Sequence, residues 1–373
     1  MGVLITGSTG YLGSYVVAQM LSDHKDRLLL LIRAKDQQEA KQRLWKSLQL
    51  HMSFHEFSQY LKRIDLFLGD LTKDQLGLSD EHWKTLVSST QSIIHCAASL
   101  NRKSEKSCLN VNLRGTLQVI ALAKEAHQDH GLRRFSNVST VAIAGQRQDE
   151  LVYEEQALDW SRSDYDPYAR TKKFCEHMIE KWLGDIPYII FRPSIILGDE
   201  RFPETTQFDM ARAFIWLAKL PFLPFQKHWK IDIVPANYVG HAIVTIHQKK
   251  DPAHKIYHLS SGDQSLNYQQ IVRDLEKKGL PLHHTFVPFL EPLFRKTIAL
   301  LSMMPRSWKI TKMVSLMKVF LPYLTFNTVF DNTRVVQEIH RKPKPFSEYS
   351  YPFYVFVEGH KFQYPYEPYA RES

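Results

Sequence analysis

Tyr168 and Lys172 are the residues whose types and spacing best suit catalysis. Residues four apart lie on one face of a helix, so the Lys172 ammonium is expected beside the Tyr168 phenol. A free phenol has a pKa of about 10, too high for an efficient proton donor at neutral pH, and a neighbouring cation lowers it. The pair predicts a tyrosine general acid assisted by a lysine. Because Tyr-xxx-Lys is common on helices, this prediction needs support from the rest of the chain.

A glycine-rich turn near the N-terminus supplies that support. The apolar run Val3-Leu4-Ile5 leads into TGSTGYLG, whose glycines have GxxGxxG spacing. Gly7 permits a tight turn, Gly10 lets backbone N–H groups approach a pyrophosphate, and Gly13 lets the next helix pack closely. The pyrophosphate then lies at the positive end of that helix. The motif predicts a dinucleotide site that includes Thr6, Gly7, Ser8, Thr9, Gly10, Tyr11, Leu12 and Gly13.

The residue after the second apolar run indicates which dinucleotide is preferred. A site selective for NAD has Asp or Glu there to bind the ribose 2'-hydroxyl, whereas this chain has Arg33. A guanidinium favours the 2'-phosphate of NADP through charge-assisted hydrogen bonds. Lys35 adds positive charge, and Asp36 opposes it. We therefore predict NADP(H) as the cofactor, the alternative being that Arg33 is an ordinary surface residue.

Residues that end the third and fourth apolar runs extend the predicted cleft. Gly69-Asp70-Leu71 closes the third run where the adenine would lie, and Asp70 is expected to bind the adenine amino group. The fourth run ends in His95-Cys96-Ala97-Ala98, whose small residues allow backbone to approach the cofactor. Asp70, Leu71, Ala97 and Ala98 are therefore predicted to contact the cofactor.

Hydroxyl groups follow the fifth predicted strand. We favour Thr140 over Ser139 as the group that binds a substrate carbonyl oxygen, because Thr140 lies further towards the strand end. At least one of the two is expected to be an ordinary strand-end hydroxyl. Pro193 and Ser194 follow the sixth strand and are predicted to shape the pocket floor beside the nicotinamide. Asn112 either supports the fourth-strand region or an active-site water, or it caps a helix.

The elements that must position these residues alternate along the first half of the chain. Continuous apolar runs are separated by stretches with helical periodicity, which is typical of strands buried on both faces of a parallel sheet. The pattern predicts a doubly wound, Rossmann-type α/β fold. The predicted strands are 3–6, 28–32, 66–68, 92–97, 135–139, 188–191 and 255–259, and predicted helices include 11–21, 111–126, 168–182 and 268–278.

The composition changes in the second half of the chain. We predict a reductase domain over 1–280, with a substrate-pocket insertion at about 200–231, and a helical and irregular substrate or lid region over 281–373. The segment 282–326 mixes apolar residues with Arg295, Lys296, Arg306, Lys309 and other cations. It is interpreted as a helical subdomain with a solvated basic face, or as a lid or membrane-surface patch. The last 30 residues are expected to form an irregular tail.

Composition narrows the class of protein. The 373 residues carry a net charge of +9, which suits anionic partners such as a phosphorylated cofactor or a phosphopantetheine carrier. No nucleic-acid-binding signature appears, so a nucleic-acid partner is not predicted. The three cysteines lack CxxC spacing, and neither a metal site nor a disulfide framework is predicted. With no apolar run long enough to span a bilayer and no leader pattern, a cytoplasmic location is expected.

The chain resembles the extended short-chain dehydrogenase/reductase superfamily, and within it the branch of thioester reductases and fatty acyl-CoA reductases. The resemblance covers residues 3–262. It is carried by TGSTGYLG, LLLLIRAKD, GDL, IIHCAA, NVNLRGT, NVSTVA, YARTKK and FRPSIILG. Residues 321–335 are similar to the C-terminal portion of fatty acyl reductases, although this chain is shorter there than eukaryotic members.

The resemblance implies NADPH-dependent reduction of an acyl thioester, carried by CoA or acyl carrier protein, to an aldehyde. A second reduction gives an alcohol if the aldehyde stays bound. Thr140 and Tyr168 would bind the carbonyl oxygen, and Lys172, with Tyr168, would hold the cofactor ribose. One alternative is ketone/alcohol chemistry on a sterol-like, polyketide or sugar-nucleotide compound, although the apolar stretch 205–225 argues against a sugar nucleotide. Another is a cofactor-binding sensor without turnover, which the retained Tyr168 and Lys172 disfavour.

Overall fold

A seven-stranded parallel sheet forms the centre of the molecule. The computed structural model describes residues 1–280, 283–304 and 309–370. The strands run in the order β7-β6-β5-β4-β1-β2-β3, with every neighbouring pair parallel. The predicted doubly wound α/β fold is therefore confirmed. The strands are β1 Gly2–Thr6, β2 Arg27–Ile32, β3 Ile64–Leu68, β4 Thr90–His95, β5 Arg134–Val138, β6 Tyr188–Pro193 and β7 Ile256–Leu259.

Helices cover both faces of this sheet because its strands are apolar on both sides. Val3 and Ile5 of β1 join one buried cluster, and Leu4 joins another on the opposite face. The helices in the first part of the chain are α1 Tyr11–Asp23, α2 Gln37–Leu48, α3 Phe54–Tyr60, α4 Asp80–Ser89, α5 Glu105–Cys108, α6 Gly115–His130, α7 Glu154–Ala157 and α8 Pro167–Trp182. A π-helical segment, Leu109–Arg114, joins α5 to α6. The later helices are α9 Asp209–Ala218, α10 Ala236–Gln248, α11 Tyr268–Lys277, α12 Glu291–Leu301, α13 Lys309–Thr325, α14 Thr333–Ile339 and α15 Ser350–Gly359.

A second hydrophobic core lies in the later part of the chain. It gathers apolar side chains from α9, α11, α12, α13 and α15. Val335 of α14 packs instead in the core of the sheet. Both cores thus draw on residues from each side of position 280, and the domain boundary placed there stays a prediction. Two-residue strands complete the structure as the parallel pairs Leu151–Val152 with Val329–Phe330, Ile195–Ile196 with Ile233–Val234, and Phe222–Leu223 with Thr285–Phe286, and the antiparallel pair Lys230–Ile231 with Leu266–Asn267.

The prediction of an irregular C-terminal tail is wrong for residues 350–359, which form α15. Phe353, Phe356 and Val357 are buried against the second core. Their spacing of three and four residues places them on one helix face. The Tyr and Pro content of the segment concealed this short period, and tertiary packing stabilises the helix. Residues 363–370 follow without a helix or strand, as predicted.

The predicted basic amphipathic segment contains the helices α12 and α13. Their inward side chains, including Ile298, Met317 and Leu321, belong to the second core. Leu282, Arg306 and the side chains of Lys309 and Lys312 lie outside the described residues. Within the described ranges, no helix is both long and apolar enough to cross a membrane.

Candidate active site

The glycine turn after β1 brings the start of α1 against the loop that follows β4. Gly7 has a φ of 76°, and its carbonyl oxygen accepts a hydrogen bond of 2.9 Å from the Gly10 N–H. A Cβ atom at Gly7 would lie 2.7 Å from the backbone nitrogen of Ala97, and one at Gly13 would overlap the Gly7 carbonyl. These positions therefore require glycine, because a side chain at Gly7 would collide with the loop after β4 and one at Gly13 would separate α1 from the turn.

A cleft of about 870 Å³ lies over the carboxyl ends of the sheet strands. In a parallel sheet this edge is where ligands bind. The structure brings nearly all the predicted site residues to this cleft, and they line it together. They are Thr6, Gly7, Thr9, Gly10, Tyr11, Leu12, Gly13, Arg33, Asp70, Leu71, Ala97, Ala98, Thr140, Tyr168, Lys172, Pro193 and Ser194.

Ser8 is the predicted residue that does not line the cleft. Its side chain is fully buried, and its hydroxyl has no hydrogen-bond partner among the described residues. The Thr6 hydroxyl, by contrast, lies 2.7 Å from His95 Nδ1 and accepts a bond from the Ala97 N–H. Thr6 therefore connects β1 to the end of β4. For Ser8, only a contact between its backbone and a cofactor stays a prediction.

Arg33 and Asp70 lie at the end of the cleft formed by β2 and β3. Arg33 is exposed directly after β2, and its carbonyl accepts a hydrogen bond from Arg43. Asp70 Oδ1 accepts bonds from the Thr72 N–H at 2.9 Å and from the Thr72 hydroxyl at 2.8 Å. Partial burial raises the pKa of Asp70, but these bonds and the nearby cations outweigh burial and lower it. Asp70 is thus an ionised acceptor, as its predicted role requires.

The structure separates the two hydroxyls that follow β5. Ser139 donates a hydrogen bond to Glu176, which also pairs with Arg192 at 2.7 Å in a fully buried ion pair. The proton of the Ser139 hydroxyl is therefore directed to a buried carboxylate. Both residues line the cleft, and the Thr140 hydroxyl accepts a bond of 3.2 Å from the Ala142 N–H, which leaves its proton available. The geometry favours Thr140, the residue preferred from the sequence.

Tyr168 and Lys172 lie in the first turns of α8, which begins cleanly because Asp166 caps it. Asp166 Oδ1 accepts a bond of 2.8 Å from the Ala169 N–H, and Pro167 occupies the first helical position. Lys172 is buried, its ammonium donates to the Val138 carbonyl oxygen at 2.7 Å, and burial lowers its pKa. The helix thus presents the pair to the cleft beside the end of β5.

The sequence predicts Lys172 as the cation that lowers the pKa of Tyr168, and the structure adds a second cation, Arg102, beside the Tyr168 ring. Burial and Asp166 raise the pKa of Tyr168. Arg102 lowers this pKa most strongly, and Thr140 lowers it further. The Arg102 guanidinium carbon lies 4.4 Å from the centre of the Tyr168 ring.

Sequence reasoning missed Arg102, which lines the cleft. Its signal was its place a few residues beyond β4, at the same edge of the sheet as the other site residues. Asn112 supports this loop, because its Oδ1 accepts a bond of 2.7 Å from the Ser99 N–H and its Nδ2 donates to Thr171 at 3.1 Å. Asn112 thus joins the fourth-strand region to α8.

The described residues fit a nicotinamide dinucleotide. Gly10, the residue before α1, provides no side-chain cap, and the first turn of α1 contains no acidic residue. The N–H groups and the positive dipole end of this helix are therefore suited to an anionic diphosphate. Glycines fill the cradle where a Cβ atom would clash, and Ala97 and Ala98 leave space across from it. Ionisable Tyr168 and Lys172 line the same cleft at the end of β5.

Residues 5–243, more than half of the chain, match the NAD-binding family described as "Male sterility protein". A Drosophila melanogaster protein named as a candidate fatty acyl-CoA reductase is 27% identical over 277 residues, which cover 65% of this chain and 54% of that protein. The chain spans only 5% to 54% of the lengths of the curated relatives compared with it.

Two solved structures have the same fold. The terminal R domain of the myxalamid PKS-NRPS pathway has a TM-score of 0.82 at 20% identity and covers 98% of this chain and 92% of its own. The thiolation-reductase di-domain of an archaeal non-ribosomal peptide synthetase has a TM-score of 0.74 at 15% identity. The match covers 96% of this chain and 75% of the di-domain chain. On the family match and this fold, the chain belongs to the male sterility protein family of the extended short-chain dehydrogenases/reductases.

Proposed function

We propose that this chain is an NADPH-dependent reductase of acyl thioesters carried by CoA or by an acyl carrier protein. The observation that carries the proposal is that Thr140, Tyr168 and Lys172 meet in the cleft that begins at the glycine turn. The family match supports a reductase, and the similarity to a thiolation-reductase di-domain favours a carrier-bound substrate.

The residues that would hold the cofactor are spread along the cleft. The Gly7 to Gly13 turn would bind the diphosphate, Asp70 the adenine, and Lys172 the nicotinamide ribose. Arg33 is exposed at the end of β2, where a guanidinium can bind a ribose 2'-phosphate, and this supports NADPH over NADH. When bound, a reduced nicotinamide supplies the hydride, and the protein supplies position and electrostatics.

At the reacting carbonyl, the chain provides two hydroxyl groups. Thr140 donates a hydrogen bond to the carbonyl oxygen of the substrate, and Tyr168 bonds the same oxygen and gives it a proton as negative charge develops. Loss of the thiol then leaves an aldehyde. An aldehyde that stays in the cleft can be reduced again to an alcohol.

The far side of the cleft suits an apolar acyl chain. It is lined by Met210 of α9 and by Leu316, Val319 and Phe320 of α13. Apolar walls with few polar groups are typical of pockets for apolar ligands. This lining favours an acyl thioester over a sugar nucleotide, which would need more polar partners.

The test measures NADPH oxidation with a panel of acyl-CoA chain lengths and with the same acyl groups on a carrier protein, followed by mass spectrometry of extracted products. We expect an aldehyde or alcohol to form in step with NADPH loss. Comparison of the two series identifies the carrier, and the ratio of NADPH consumed to product formed gives the number of reductions. Tight NADPH binding with no turnover on either series would overturn the proposal, and turnover of ketones alone would favour the alternative oxidoreductase.

A further inference from the structure

Arg102 joins three parts of the molecule at the cleft. It lies in the loop after β4, and only 17% of its side chain is exposed. Its Nη1 donates to Asp166 Oδ2 at 2.8 Å, beside the start of α8, and to the Tyr323 hydroxyl at 2.6 Å on α13. Tyr323 in turn donates to Asp166 Oδ2 at 3.3 Å. The three side chains thus form a closed polar triangle between the loop, α8 and α13.

The guanidinium also packs against the aromatic ring that carries the proton donor. Its central carbon lies 4.4 Å from the centre of the Tyr168 ring, 5.0 Å from that of Tyr323 and 5.9 Å from that of Phe320. Tyr323 is held in turn by stacking on Tyr165, with ring centres 4.4 Å apart. A planar cation over a ring face is attracted by the ring, and the attraction grows as water is excluded.

We propose that Arg102 is a positioning residue for reduction, which holds the Tyr168 ring in place. Because Arg102 also binds Tyr323, the charge beside Tyr168 depends on how α13 packs over the cleft. The proposal rests on the proposed role of Tyr168 as proton donor. Arg102 needs no contact with the substrate for this role, because it acts through Tyr168 and through the cap of α8.

The charged and titratable groups around Tyr168 give the direction of the effect. The loop after β4 contributes Arg102, the cap of α8 contributes Asp166, α5 contributes Cys108, and Thr140 follows β5. Lys172 lies one turn along α8, and α13 contributes Tyr323. Arg102 favours the ionised phenol, whereas Asp166 and burial oppose ionisation. Removal of the Arg102 charge should therefore raise the pKa of Tyr168 and make it a weaker acid.

The test compares the parent protein with Arg102→Gln, Arg102→Lys and the matched control Arg170→Gln. Arg170 is on the same helix as Tyr168, and its exposed side chain pairs with Asp164. The first readout is the pH profile of kcat/KM. The second is the NMR titration of tyrosine labelled with carbon-13 at Cζ, where the Tyr168 signal is identified by its loss in Tyr168→Phe. This titration requires no turnover.

We expect Arg102→Gln to move the Tyr168 titration and the alkaline limb of the profile upward by about one pH unit or more, the usual size of a close charge effect. Turnover at neutral pH should fall about tenfold, and Arg102→Lys should restore most of both values. The inference is wrong if Tyr168 titrates at the same pH in Arg102→Gln as in the parent, or if Arg102→Lys behaves like Arg102→Gln. If the parent reduces no thioester, the proposed function fails, while the NMR titration still decides the role of Arg102.

A second variant tests the part played by α13. Tyr323→Phe removes the hydroxyl that accepts from Arg102 and keeps the ring that stacks on Tyr165. We expect the Tyr168 titration to move in the same direction as in Arg102→Gln, by a smaller amount, with NADPH affinity unchanged. An unchanged Tyr168 titration in Tyr323→Phe would refute the link to α13.

Discussion

The proposed role of Tyr168 as proton donor makes two opposite demands on its phenol. A proton donor must remain protonated at neutral pH, and it must also release its proton when negative charge develops on the substrate. Burial raises the pKa of Tyr168 and keeps the phenol protonated, while Arg102 and Thr140 lower the pKa and ease proton release. The balance of these groups, more than the tyrosine itself, sets the strength of the acid.

Removal of the Tyr168 hydroxyl should therefore lower turnover far more than it lowers cofactor affinity. We expect Tyr168→Phe to lower kcat by about two to four decades, the usual range for removal of a general acid, with NADPH affinity nearly unchanged. Steady-state kinetics and fluorescence titration with NADPH measure the two effects. Tyr153→Phe, at an exposed tyrosine, is the control. Equal kcat in Tyr168→Phe and the parent would rule out Tyr168 as the donor.

Arg33 carries the prediction of cofactor preference. Arg33→Asp replaces a group that attracts the ribose 2'-phosphate with one that repels it and can bind a ribose hydroxyl. We expect the ratio of kcat/KM with NADPH to that with NADH to fall by about tenfold or more, the effect of roughly 1.4 kcal/mol. Lys41→Asp, an exposed site on α2, is the control for charge alone. A parent protein that uses NADH as well as NADPH would contradict the role given to Arg33.

At the scale of elements, the strands were predictable because their apolar runs are buried on both faces. All seven sheet strands lie where the sequence predicts them, with ends shifted by a few residues. The fourth strand ends at His95, so Cys96 and Ala97 lie beyond it and line the cleft. The residues that line the cleft were predictable for the same reason, since most of them end or follow a strand or lie in the first turns of a helix.

Other features depend on contacts between distant parts of the chain. The role of Arg102 requires Asp166 and Tyr323, and the partner on α13 lies far from it in sequence. No local pattern marks such a triangle. The helix α15 was missed because its apolar face is short and its stability comes from packing on the second core.

The helix α12 and the residues that flank it present an apolar face to solvent. Phe289, Leu293, Leu300 and Met303 are 61% to 81% exposed, and they share one face with exposed Lys296 because they recur at intervals of three and four residues. Apolar side chains beside lysines suit an anionic lipid surface. This arrangement supports the prediction of peripheral membrane contact.

We expect the protein to sediment with vesicles that contain phosphatidylserine and to leave vesicles of phosphatidylcholine alone in the supernatant. Leu293→Asp should weaken the binding about tenfold, because burial of a leucine contributes about 1.5 kcal/mol or more. Leu151→Asp, at an exposed leucine outside α12, should bind as the parent does. Equal sedimentation of Leu293→Asp and Leu151→Asp would exclude α12 as the contact.

At the scale of the whole molecule, one buried carboxyl group connects the sheet to the chain that returns after α13. Asp232 Oδ1 accepts a bond of 2.8 Å from the Ser261 N–H, and Oδ2 accepts one of 3.1 Å from the Phe330 N–H. Burial raises the pKa of Asp232 to about 6, although these bonds and Ser194 lower it. The folded protein therefore holds a proton there more tightly than the unfolded chain does.

Because the folded pKa exceeds the unfolded one, the contribution of Asp232 to stability is complete below about pH 4 and is lost as the pH rises through about 6. We expect the free energy of unfolding of the parent to fall by about 2 to 3 kcal/mol relative to Asp232→Asn over this interval. Urea unfolding at a series of pH values measures it, with the exposed Asp185→Asn as the control. Parallel pH curves for the parent and Asp232→Asn would contradict the shift.

The pairing of Val329–Phe330 with Leu151–Val152 limits where this chain can be truncated without loss of stability. Glu338 of α14 accepts hydrogen bonds from Lys249 and from Tyr257 of β7. The segment after α13 is therefore bound to the rest of the fold at several points. A fragment cut at the end of α11 would retain all strands of the seven-stranded sheet and lose these contacts. Phe353 and Val357 of α15 also pack in the second core. For protein engineering, the unit that is grafted onto another polypeptide should therefore extend through α15, and a shorter graft should aggregate or be degraded.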